Sequence, residues 1–210
     1  MKRITLSFVA LMLAACGQSA QAPPPAQGQT QLAPGQMLDL SCEAFADASY
    51  DDLTQRFGAE NIVNATLPGP EGESYEATIV FPNDPGRRLE VHWQDVSARA
   101  RISEVSISGE ISDWRGPHGL ALGQDIEEVE RLNGHAFQIY GFGWDYGGNV
   151  SDWNAGAFAP QGGCIVRAQF YANTSDTHIM GDTPFMSDLP AMRAARPRVS
   201  QIGIGFRAAE

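Results

Sequence analysis

The densest gathering of residues able to do chemistry in this 210-residue chain is Tyr140-Gly141-Phe142-Gly143-Trp144-Asp145-Tyr146-Gly147-Gly148-Asn149, followed by Asp152 and Trp153. Aromatic faces stack on sugars or on partner side chains, and glycines let a backbone turn tightly. One reading is a binding loop in which Trp144, Tyr146 and Trp153 make contact and Asp145 supplies an oriented polar group. The other is a bulged hairpin whose aromatics plug a core while its glycines serve the turns. Asp145, Asn149 and Asp152 offer oxygen ligands, but they lack the alternating acids and distant bidentate glutamate of a calcium loop. Gly141, Gly143 and Gly147 miss the dinucleotide spacing and enclose a tryptophan where a phosphate would need room.

Little else points to catalysis. His92, His118, His135 and His178 are scattered, with no pair spaced to hold a metal from one helical face. His118 with Asp113 or Asp145 is the best candidate for a hydrolytic pair, yet Ser106, Ser108 and Ser112 sit in no nucleophile elbow. Lys2 is the only lysine, so chemistry that needs a lysine beyond it, a Schiff base or a Walker-type phosphate loop, is excluded. The formal charge is −11, and leaving out Lys2 and Arg3 gives 12 basic against 25 acidic residues, a balance of −13. That balance argues against nucleic acid as a partner. No catalytic residue, cofactor or metal is expected.

Residues 1–15 carry a positive start, Lys2-Arg3, and an apolar run from Ile4 to Leu13 that is too short to span a bilayer. Leu13-Ala14-Ala15-Cys16 resembles the lipobox of bacterial lipoproteins. The resemblance implies cleavage before Cys16, lipidation of its sulfur, and a membrane anchor without a spanning segment. With Gly17 rather than aspartate after the cysteine, it also implies the outer membrane, with the periplasmic face expected. Residues 16–36 contain no charge and no apolar period, and are dense in Gln, Ala, Pro and Gly. They read as a disordered tether that, extended at about 3.1 Å per residue, reaches about 60 Å. Setting Cys16 aside leaves Cys42 and Cys164, an even pair in an oxidising compartment, and a disulfide between them is expected. It would close a loop of more than 100 residues, worth about 4 to 5 kcal/mol on a chain-entropy estimate.

The elements that position these groups fall into two similar runs. Asp51 to Gly58 reads as an acid-started helix with Leu53 and Phe57 on one face and a glycine stop. Strands are expected over Glu60–Leu67, Tyr75–Phe81, Arg87–Trp93 and Arg101–Ser108. Asp125 to Gly134 repeats the helix, with strands expected over Ala136–Phe142, Ala155–Ala159, Cys164–Ala172 and Val199–Phe206. An offset of 76 residues matches Leu53 with Val129, Gly58 with Gly134 and Val63 with Ile139. The arginine-rich tail, Leu189–Arg198, reads as an exposed connection or as a basic patch for an acidic surface. The fold class expected is α+β, with modules over 37–110 and 111–210, each a short helical segment on an antiparallel sheet.

Gly119-Leu120-Ala121-Leu122-Gly123-Gln124-Asp125-Ile126-Glu127-Glu128-Val129-Glu130-Arg131-Leu132-Asn133-Gly134 resembles the glycine, short helix and second glycine of the SmpA/OmlA family of small outer-membrane lipoproteins. Tandem modules of this kind are also the architecture of the beta-lactamase inhibitor proteins. The resemblance implies a non-catalytic lipoprotein that binds another envelope protein, as an assembly accessory or an inhibitor-like module. The rival class is a carbohydrate-binding or hydrolytic envelope protein working through residues 140–153.

Overall fold

The computed structural model describes residues 36–69 and 72–207. The signal segment, Cys16 and all of the tether except Gln36 lie outside the described residues. The described residues form an α+β fold, with four α-helices and eleven strands among them.

Polar caps set the helix starts. α1 (Cys42–Phe45) begins at Ser41, whose hydroxyl accepts the Ala44 N–H. α2 (Tyr50–Phe57) begins at Ser49, which exchanges hydrogen bonds with Asp52 in a capping box. α3 (Ile126–Asn133) begins at Asp125, whose carboxylate accepts the Glu128 N–H, and stops at Gly134 in the left-handed region. Both longer helices are amphipathic. Leu53 and Phe57, and Ile126 and Val129, turn into the core.

Behind α2 runs an antiparallel meander of β2 (Ile62–Pro68), β3 (Ser74–Val80), β4 (Leu89–Asp95) and β5 (Ala100–Ser108). Behind α3 come β7 (Gln138–Tyr140), β8 (Val150–Asp152), β9 (Cys164–Tyr171) and, after β10 (Pro184–Met186) and α4 (Pro190–Ala194), β11 (Arg198–Phe206). The last strands of the two runs pair, so the halves share one six-stranded sheet in the order β2-β3-β4-β5-β11-β9. A smaller sheet, β10-β7-β8, joins it through the Asn149–Gln169 bridge. β1 (Leu38–Asp39) and β6 (Trp114–Arg115) add a short parallel pair.

Strand alternation gives the large sheet two unlike faces. Ile107 and Val105 oppose Ile202 and Ile204 on the side that meets the helices. Trp114 sits where α1, α2 and the sheet meet, 6.0 Å from Phe45 and 5.9 Å from Phe57 between ring centroids, with its indole N–H given to the Arg87 carbonyl. Cys42 and Cys164 pair, 6.1 Å apart at Cα, and tie the start of α1 to the start of β9.

Three expectations change. Residues 155–159 form no strand, because the buried Asn133 takes up this segment's hydrogen bonding: it receives the Phe158 N–H and donates to the Trp153 carbonyl, while its own carbonyl accepts Ala157 N–H. The Leu189–Arg198 tail contains α4, and Arg193 is paired with Glu130 and, at 3.7 Å, Glu127 of α3. The Val63–Ile139 match also shifts by one residue. Ile139 faces the core, as Ile62 does, whereas Val63 pairs with Ile79 on the opposite side. Replacing Cys42 and Cys164 together by serine is expected to lower unfolding stability by about 3 to 5 kcal/mol. Urea unfolding of both proteins under non-reducing conditions checks this; equal midpoints and slopes would count against the bridge as a stabilising tie.

Candidate functional site

Among the described residues no helix packs on the other face of the large sheet, which carries two polar groups on either side of the buried Ile79 and Ser106. Cross-strand pairing places Ile79, Glu90, Ser106, Gly203 and Arg167 in one line, with His92, Glu104 and Gly205 in the next. Glu90 is the hub of the β3–β4 end. Its carboxylate accepts from the Tyr75 hydroxyl at 3.0 Å and lies 3.0 Å from His92 Nε2, with Arg88 at 3.8 Å. The Tyr75 and His92 rings lie 5.3 Å apart. The His92 hydrogen bond, helped by that from Tyr75, holds the Glu90 carboxyl below the usual carboxylate range, against the opposing effect of burial. Burial and the Glu90 charge push the Tyr75 phenol up.

Farther along, Arg167 of β9 reaches Glu104 of β5 at 3.0 Å, crossing β11 between them. Glycine permits this crossing. A Cβ on Gly203 would lie 2.9 Å from the Glu104 carboxylate, and one on Gly205 would lie 3.3 Å from Arg167 Nε. Glycine weakens a strand interior, so two of them on one face of a central strand mark a place where neighbouring side chains lie flat.

The aromatic segment borders this same face, and the structure divides its residues. Trp144 and Tyr146 are exposed, at 63% and 61%, and Asp145 beside them is exposed too. Tyr146 lies 5.7 Å from Tyr140, and Gln169 donates to the Gly147 carbonyl, fixing the loop to β9 two residues before the exposed Tyr171. Trp153 belongs elsewhere. It is 5% exposed, gives its indole N–H to the Val166 carbonyl and packs against Phe137 and Phe158. Trp153 is thus a core residue, and both readings of the segment hold for different members. Gly148 sits at φ 75° directly against the Phe170 carbonyl, where a side chain would not fit.

The hydrolytic candidate does not assemble. His118 lies in a tight turn against Phe158, 5.7 Å between centroids, and among the described residues no hydrogen bond joins it to Asp113 or Asp145. A hollow of about 800 Å³ opens beside His118 and the disulfide, lined by Glu43, Ala157, Gly162, Phe206 and Arg207. Among the described residues no cluster of three metal-ligating side chains occurs, and no helix is long and apolar enough to cross a membrane. Sequence reasoning gave no role to Tyr75, Glu90, Glu104 and Arg167, and named His92 only as one of four scattered histidines. The alternation Leu89-Glu90-Val91-His92-Trp93 and the repeated glycines of Ile202-Gly203-Ile204-Gly205 were the available signals.

Comparison with family models, curated proteins and solved structures yields no match. Two measurements test the site's anatomy. Trp144→Ala is expected to change stability by less than about 0.5 kcal/mol, whereas Trp153→Ala should cost about 3 to 5 kcal/mol; similar losses in denaturant melts would refute the division. Because the Glu90 carboxyl is lowered in the folded state, it adds stability above its unfolded range, near pH 4.3, that is lost as pH falls through the folded value. Glu90→Gln should therefore flatten the acid limb of the stability profile below about pH 5, and curves that stay parallel to the wild type would dismiss this role.

Proposed function

We propose that the protein is a lipid-anchored, non-catalytic envelope lipoprotein that binds another envelope protein through the open face of its sheet. The observation that carries the reading is the placement of exposed Trp144, Tyr146 and Tyr171 at one end of a helix-free face whose centre is a polar row. Exposed aromatic residues concentrate binding energy in protein interfaces, while engaged charges at their side tune partner choice. The Leu13-Ala14-Ala15-Cys16 sequence supports anchoring, with Gly17 favouring the outer membrane and its periplasmic side. The Cys42–Cys164 pair accords with an oxidising compartment.

A glycan partner is the second reading, favoured by the exposed Trp144 and Tyr146 alone. Photo-crosslinking separates the two. A benzophenone side chain at Tyr146 or Tyr171 of the anchored chain should capture one envelope protein, while one at the exposed Gln55 on α2 should not. A Cys16→Ser control, still exported, is expected to lose most of the capture. Identical products from both faces, or none from the sheet face, would sink the protein-binding proposal, and a crosslink to envelope glycan would replace it.

A further inference from the structure

We propose that the outer edge of β2 receives an extended, basic segment of a partner polypeptide as an added strand. β2 is the first strand of the six and, among the described residues, has β3 as its sole hydrogen-bonded neighbour. Phe81 N–H bonds to the Asn61 carbonyl and Gly69 N–H to the Glu73 carbonyl, each at 2.7 Å, which fixes the phase of the ladder. Odd-numbered residues from Asn61 to Gly69 thus point their main-chain groups at β3, and even-numbered residues point theirs outward. Asn64 and Thr66 present both N–H and C=O along the free edge. Ile62 and Pro68 add only carbonyls, because the Ile62 N–H bonds to Ala59 and proline has none. Among the described residues no other group takes up these donors and acceptors.

Such an edge is a template for another strand, and proteins ordinarily blunt it with charge, a bulge or brevity. β2 has no charge and no bulge, and its one blunting residue, Pro68, stands at its last position. Its seven residues, Ile62-Val63-Asn64-Ala65-Thr66-Leu67-Pro68, carry no charge, and the register against β3 runs without a break. The Asn64 side chain stays clear of the edge, engaged with the Thr78 hydroxyl and 3.4 Å from that of Tyr50. The other half of the molecule shows the contrast. β7 follows α3 as β2 follows α2, and its outer side is occupied by β10, with Phe185 opposite Ile139. One half brings its own covering strand, and the other leaves the equivalent position bare.

Charge defines the occupant. From Phe57 to Gly86 the sequence contains no lysine, arginine or histidine, while Glu60, Glu73 and Glu76 stand exposed around the β2–β3 pair. Arg99 reaches the cavity beside Asn64 and Glu76, yet three exposed carboxylates against one cation leave a negative balance that attracts a strand bearing lysine or arginine. A second copy of this chain would set the same carboxylates against their counterparts. The inference borrows from the protein-binding proposal only that the partner is a polypeptide; it uses a different surface, so crosslinking from Tyr146 and Tyr171 and the test below fail independently.

The test uses the mature chain with its disulfide intact and a fluorescent peptide of about ten alternating lysine and valine residues, a length that spans the strand. Two further peptides replace lysine by glutamate or carry N-methyl groups on alternate residues. Thr66→Pro deletes an outward donor without changing charge, a substitution that an edge strand accepts at such a position. Fluorescence anisotropy should show binding of the lysine peptide, weakened at least about tenfold by Thr66→Pro and by N-methylation, with the glutamate peptide inert. If Thr66→Pro does not fold, the N-methylated peptide carries the comparison on the unaltered protein. Absence of binding, equal binding of the glutamate peptide, or indifference to Thr66→Pro or N-methylation would overturn the proposal. A concentration-dependent dimer in sedimentation that Thr66→Pro abolishes would also overturn it, with a second copy as the occupant.

Discussion

The pairing of β5 with β11 is the constraint on which the rest of the molecule hangs. Each is the final strand of its half, and their antiparallel register sets Ile107 against Ile202 and Val105 against Ile204 on the helix side. Because side chains alternate strictly, a slip of β5 by one residue would turn Ser106 and Glu104 toward the helices and Val105 and Ile107 onto the opposite face. The apolar face therefore specifies the register, and the register then decides everything on the other side. It brings Gly203 and Gly205 between Glu104 and Arg167, and it lines up Glu90 with Ser106 one strand farther on. The Cys42–Cys164 bridge and the β1–β6 pair reinforce the same junction from the helix side, tying the beginning of the described chain to its second half.

The two halves differ most in residues 172–197, which separate β9 from β11 where only a short turn separates β4 from β5. That segment supplies β10 along the edge of β7 and α4 beside α3. Arg193 fastens it, pairing with Oε2 of Glu130, whose Oε1 is buried without a hydrogen-bond partner among the described residues. Buried carboxylate oxygen is costly without a countercharge, so the clasp has a definite electrostatic reason to close. The extra segment completes one end of the architecture and leaves the other end, at β2, with its main chain open.

Much of this was legible in the sequence, and the boundary of legibility has physical causes. α2 and α3 are readable because caps, first-turn acids and glycine stops are local signals: Ser49 with Asp52, Asp125 with Glu128, and Gly58 and Gly134 act within one turn. The long strands are readable because half-buried strands alternate, as in Leu89 to Trp93. The three-residue strands β8 and β10 are too short to show a period, and the turn at 155–159 looks like a strand until Asn133, distant in sequence, is seen to hold it. α1 and α4 are single-turn helices whose existence depends on the disulfide and on the Arg193 clasp more than on propensity. The open-face row was hidden for the same reason. Glu90, His92, Glu104 and Arg167 are ordinary polar residues until the topology brings three strands beside them.

The open face sets two kinds of surface side by side. Glu90 and Glu104 already have hydrogen-bonded partners within 3.0 Å, so covering them strips water from charges that gain little new attraction. Trp144, Tyr146 and Tyr171 have no such commitment and offer wide apolar surface to a partner. In the proposed binding role, the aromatic end would supply most of the binding energy, and the polar row would reject surfaces that leave its charges unpaired. It also keeps the uncovered sheet soluble, because an apolar face of this extent would stack on itself. The glycines of β11 leave room for this arrangement: a side chain at 203 would press on the Glu104 carboxylate and one at 205 on the Arg167 guanidinium, so either substitution would shift the pair.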